Sequence, residues 1–142
     1  MKKMMKVMSL TLLFVFVLSL VACQNETTTV SVWEEATYTE DMTIGEGKKV
    51  FDFVVEAEDK SVVFTIKTDA EFLGEALQEH KLVSGEEGPY GLYIKYVNGI
   101  LADYDKNGAY WGFYQDGEYM NVGADETVIQ SGAEYKVVYE KQ

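Results

Sequence analysis

The chain has no arginine, and its 142 residues include only one histidine, one cysteine and one proline. Each scarcity removes a class of function. Without a guanidinium fork there is no planar, bidentate grip on phosphate or carboxylate, so nucleotide-binding, kinase-like and acidic-substrate readings weaken together. A single cysteine forbids an internal disulfide. The lone histidine, His80, gives general acid–base chemistry no positioned pair, and no serine or cysteine sits in a nucleophile-like setting. The expectation is therefore a protein that is not an enzyme. All 12 basic residues are lysines, set against 24 aspartates and glutamates. Lys2, Lys3 and Lys6 lie in the first 22 residues, so the rest of the chain carries 9 lysines and a net charge of −15. A surface that negative repels phosphate backbones and excludes nucleic acid as a partner.

What is present begins with a leader. Met1 to Lys6 is a basic segment, and Val7 to Val21 is an apolar stretch too short for a comfortable membrane span. It ends Leu20-Val21-Ala22-Cys23, which resembles the bacterial lipobox, in which the cysteine is acylated and becomes the new N-terminus. The resemblance implies a lipoprotein signal peptide over residues 1–22 and lipidation at Cys23. Two acyl chains supply the attachment that stable membrane tethering needs. The expected location is the extracellular face of the cell membrane. Residues 24–31 are polar and aperiodic, and residues 32–48 are acidic with few large groups, so 23–48 reads as an acidic tether, poorly ordered or loosely docked.

One domain is expected over 49–142. Phe51, Phe53 and Val55, then Val62, Phe64 and Ile66, alternate with polar neighbours and predict two strands joined at residues 57–60. The period then changes. Thr68-Asp69-Ala70-Glu71 reads as a capping box that opens a helix, with Phe72, Leu73, Ala76, Leu77 and His80 on one face. Ser84 to Pro89 reads as a loop. Asn98-Gly99 and Asp116-Gly117 mark tight hairpins, and Glu134 to Glu140 predicts the closing strand. The fold class is α+β and β-grasp-like, with one helix packed on a mostly antiparallel sheet.

Two constellations could carry chemistry. Asp103, Asp105 and Asn107 followed by Gly108 start like an EF-hand calcium loop, but position twelve is Tyr114 where a glutamate is needed. Calcium is thus one candidate ligand, and such turns also arise because Asp and Asn cap local backbone. Aromatic crowding is the more informative feature. Nine aromatics fall between Tyr90 and Tyr119, and in the strand after Gly108 Trp111 and Phe113 point one way while Tyr110 and Tyr114 point the other. One face can meet the helix; the other is covered or offered to a ligand or partner.

Phe72-Leu73-Gly74-Glu75-Ala76-Leu77, Gly91-Leu92-Tyr93-Ile94, Val97-Asn98-Gly99-Ile100, Tyr110-Trp111 with Phe113-Tyr114, Gly123-Ala124-Asp125 and Ser131-Gly132 together resemble the transcobalamin-like C-terminal domain found in small bacterial lipoproteins. The resemblance covers roughly Lys49 to Glu140. It implies a small domain that closes over one face of a corrinoid, with Gly91, Tyr93, Tyr110, Trp111 and Tyr114 nearest the ligand. It also implies that the facing surface comes from a partner or from self-association, because the sequence shows no helical domain to do so. The leading expectation is an anchored binding module that captures a small ligand, a corrinoid such as cobalamin being the family-suggested case, for a membrane uptake system or transporter. The alternatives are a surface protein-interaction module and a calcium-stabilised scaffold or adhesion module.

Overall fold

The computed structural model describes residues 29–142, so Cys23 and the leader before it lie outside the described residues. Among the described residues nine strands form two sheets. β1 (Met42–Gly45), β2 (Lys49–Ala57), β3 (Lys60–Thr68), β7 (Ala109–Gln115), β8 (Glu118–Tyr119) and β9 (Glu134–Lys141) make a six-stranded sheet in the order β1-β3-β2-β9-β7-β8. β4 (Val83–Gly88), β5 (Gly91–Val97) and β6 (Ile100–Leu101) make a three-stranded antiparallel sheet. The main helix, α1 (Leu73–Glu79), connects β3 to β4, and a single turn, α2 (Tyr104–Asn107), precedes β7. The α+β class expected from the period changes is observed.

Alternation explains the large sheet. β2 and β3 pair antiparallel with Phe53 opposite Phe64 and Val55 opposite Val62, which puts every second residue on the same inner face. β9 then runs parallel to β2 and antiparallel to β7, with Phe53 beside Tyr135 and Val137 opposite Phe113. The closing strand is thus central, and its inward Tyr135 and Val137 are fully buried. Leu73, Ala76 and Leu77 of α1 join the same core as Phe51, Phe53 and Phe64. The helix has seven residues and is held chiefly by this packing, since so short a helix is marginal in isolation.

Three sequence expectations are corrected. The segment 32–48 is packed rather than loosely docked. Val32–Glu35 forms a 3-10 turn, Trp33 is buried, and its indole donates to the Ala57 carbonyl at 2.8 Å. β1 then adds a parallel edge strand beside β3, with Ile44 opposite Ile66. Acidic composition suggests a tether, but one tryptophan and a short apolar alternation suffice to dock it.

The helix also starts later than the capping box implies. Thr68 still pairs with Lys49 in the β2–β3 ladder, and its hydroxyl accepts from the Ala70 amide to shape a turn. Helical geometry begins after Phe72, where the Leu73 amide donates to the Thr127 carbonyl at 2.8 Å. Finally, Ser84 to Gly88 belongs to β4. Its polar, glycine-containing sequence lacks apolar alternation because it is an exposed edge whose pairing to β5 is interrupted by a bulge at Ser84/Gly85.

Candidate ligand groove

The small sheet is fastened to the rest of the molecule at three points along β5. At its end, the Asn98 side chain accepts from the Tyr38 amide at 2.9 Å and donates to the Tyr38 carbonyl at 2.8 Å. Midway, the Trp111 indole donates to the Lys95 carbonyl at 3.1 Å. At its start, the Leu92 amide donates to the Asp125 carboxylate at 2.8 Å. Asp125 follows a short 3-10 turn's first residue, Ala124, and it sits where two glycines leave room. A Cβ on Gly74 would collide with its Oδ1, and one on Gly91 (φ 96°) would lie 2.8 Å from its Oδ2. Three separated motifs, around Gly74, Gly91 and Asp125, therefore meet at one place.

This anchoring leaves a groove between the start of β5 and the Tyr119–Ala124 segment. It comprises two adjoining cavities of about 490 and 190 Å³ that share Leu92, Tyr93, Val122 and Gly123. Trp111, Phe113 and Met120 line the smaller one, and Tyr90 and Glu126 border the larger. The larger cavity is mostly apolar, the smaller one mixed, and both are accessible: Tyr90 is 87% exposed, Tyr93 51% and Val122 51%. Such clefts, apolar with a few polar groups at the rim, are where small ligands bind.

Of the five expected ligand positions, the groove brings three together. Gly91 and Tyr93 line the larger cavity, and Trp111 lines the smaller while remaining buried and edge-on to Tyr139 at 5.4 Å. Tyr110 and Tyr114 are corrected. Strand alternation sends them to the opposite face of the large sheet, where both hydroxyls donate to the Glu140 carboxylate, Tyr114 at 3.0 Å. Those bonds to an anion, followed by burial, push both phenol pKa values above the ordinary tyrosine range.

The expected calcium ligands Asp103, Asp105 and Asn107 lie at the turn of α2. Asp103 is the N-cap of α2 and accepts from the Asp105 amide. Its carboxylate, 5% exposed, receives the Lys95 ammonium at 3.1 Å, which also reaches Glu86 at 3.0 Å. The Asn107 carbonyl oxygen accepts from the Asp103 and Ala109 amides. Two of the three expected donors, the Asp103 carboxylate and the Asn107 side-chain oxygen, are thus engaged by a lysine and by backbone. Hydrogen bonding to Lys95 holds the Asp103 carboxyl below the usual range, and Glu86, then Asp103, raises Lys95. Among the described residues no cluster of three or more His, Cys, Asp or Glu is arranged to hold a metal ion.

Met120, Val122 and Glu126 escape a sequence reading because they lie beside or within a connection that shows no period, marked only by the Gly123-Ala124-Asp125 motif, whereas Leu92 is visible in the Gly91-Leu92-Tyr93-Ile94 motif.

A family profile described as a domain of unknown function, DUF4430, matches residues 70–141, half of the chain. The chain is a DUF4430 protein. The DUF4430 match runs from α1 through β9 and so includes the whole groove. A crystal structure from Ruminococcus gnavus ATCC 29149, described as a candidate metal-binding protein, is 34% identical, with a TM-score of 0.63 over 67% of this chain and 99% of that one. Haptocorrin in complex with Cbi aligns at 20% identity and a TM-score of 0.50, over 69% of this chain and 26% of haptocorrin. The chain thus matches about a quarter of haptocorrin, and the architecture is transcobalamin-like. No curated protein matches this DUF4430 chain.

Proposed function

We propose that the protein is a lipid-anchored, extracellular, non-enzymatic binding module. It captures a small ring-bearing ligand, a corrinoid being the favoured case, and passes it to a membrane uptake system. The observation that carries this reading is the accessible apolar groove in which Tyr90, Tyr93 and Val122 are exposed beside Trp111. The likeness in fold to haptocorrin, whose structure contains Cbi, supports the choice of corrinoid as first ligand to try.

Energetics argue that one chain holds such a ligand weakly. Covering ~150 Å² of apolar ligand surface at ~25 cal/mol per Å² yields ~4 kcal/mol before the costs of association. A facing surface from a second protein would raise that, and it is the role proposed for the partner. The test is titration of cobinamide and of cobalamin into the purified protein, followed by tryptophan fluorescence. Saturable quenching that Tyr93→Ala abolishes supports the proposal; unchanged fluorescence into the high micromolar range overturns it.

A further inference from the structure

We infer that the groove selects flat ring ligands that are cationic and turns away anionic ones. This inference rests on the proposed binding role and adds to it the charge class of the ligand. The two groove cavities continue into a third, open depression of about 750 Å³, with which the larger shares Asn121, Val122 and Glu126 and the smaller Tyr119, Met120 and Val122. Along this combined surface stand the carboxylates of Asp116, Glu118 and Glu126, all exposed, and no lysine lines any of the three depressions.

The ammonium that approaches Tyr93 does not reverse that sign. Lys95 lies 5.8 Å from the Tyr93 ring centroid, but it is held between Glu86 at 3.0 Å and Asp103 at 3.1 Å, which leave it no free charge to offer a phosphate or carboxylate ligand. The chain-wide excess of 24 acidic over 12 basic residues adds a long-range field of the same sign. Aromatic faces attract cations as well, so Tyr90 and Tyr93 favour a positively charged ring twice, by contact area and by quadrupole. A ring ligand of net positive charge fits best; one of net negative charge, such as an aryl sulfonate, meets repulsion.

The experiment compares two flat fluorescent probes of opposite charge on the purified protein: thioflavin T, a cation, and anilinonaphthalene sulfonate, an anion. The expected result is saturable thioflavin T binding that Tyr93→Ala removes, little or no sulfonate binding, and an affinity for thioflavin T that falls about tenfold from low salt to ~0.5 M as the carboxylates are screened. Glu118→Gln with Glu126→Gln, both exposed positions, should narrow the preference between the probes. Equal binding of both probes, insensitive to salt, overturns the charge selection and leaves the binding role standing. Binding of neither probe shows that the groove takes no flat ring, and the proposed function falls with it.

Discussion

Asp125 accepts the Leu92 amide at 2.8 Å and stands 2.8 Å from the place a Cβ on Gly91 would occupy. The groove's upper strand is therefore positioned by a carboxylate that only a glycine can sit beside. Gly117, in the β7–β8 turn, has a similar positive φ of 86° but nothing within 4 Å of its missing Cβ. Gly117→Ala should cost about 1 kcal/mol, from backbone conformation alone. Gly91→Ala adds a clash to the strain and should cost about 2–4 kcal/mol. Urea denaturation of the two variants measures the difference; equal losses would show that Asp125 yields freely and positions nothing.

Trp33 tests whether the N-terminal segment is part of the fold. It is 8% exposed, bonded to Ala57, and its ring lies 5.0 Å from the Lys60 ammonium. Trp33→Ala should destabilise the protein by about 3 kcal/mol or more, as truncation of a buried large aromatic does. A denaturation midpoint equal to that of the unaltered protein would return residues 32–48 to the status of a tether.

The contrast between Trp33 and the rest shows what the sequence could reveal. Alternation in β2, β3 and β9 and the Asn-Gly and Asp-Gly turns are legible because burial of one face and positive φ each demand particular residues: Asn98 has φ 51° and Asp116 φ 48°. β1 and β4 are illegible for the opposite reason. They lie at sheet edges, where backbone pairing holds the strand and side chains such as Glu86 and Glu87 need no pattern. Site residues divide along the same line. Gly91, Tyr93 and Trp111 converge because Asp125 and the Trp111 indole draw β5 over β7, a long-range relation. Strand alternation already separates Tyr110 and Tyr114 from Trp111, but it does not tell that both join Glu140 on the far face.

The Lys95–Asp103 pair gives a pH prediction. Asp103 is held below its ordinary pKa, so its contribution is complete above about pH 4 and disappears as pH falls through the lowered folded value. Lys95 is raised, so its contribution is complete below about pH 10.4 and disappears as pH rises through the raised value. Lys95→Met should therefore lower the melting temperature at neutral pH and flatten its fall on acidification, because the nearly buried Asp103 carboxylate loses its cation; the gap to the unaltered protein should narrow as pH drops below about 4. Added calcium or EDTA should leave the melting temperature of the unaltered protein unchanged. A rise with calcium would reopen the Asp103–Asn107 turn as a metal site.

On the outer face, Tyr110 and Tyr114 share the Glu140 carboxylate, and both are raised above the ordinary tyrosine range. A raised phenol stabilises the fold fully below about pH 10, and that contribution is lost as pH climbs through the raised values. Ultraviolet titration of tyrosinate should show three groups ionising late, Tyr139 being raised by burial, and Glu140→Gln should bring Tyr110 and Tyr114 back toward the others. Late ionisation of Tyr110 and Tyr114 that survives Glu140→Gln would assign the effect to burial instead.

The decisive question is where a flat ligand lands. Chemical-shift mapping of isotope-labelled protein with cobinamide should move the amides of Leu92, Tyr93, Val122 and Gly123 and the Trp111 indole signal, while Tyr110 and Tyr114 stay in place. Shifts centred on Tyr110, Tyr114 and Glu140, with the β5 groove silent, would contradict the assignment of the groove as the binding site.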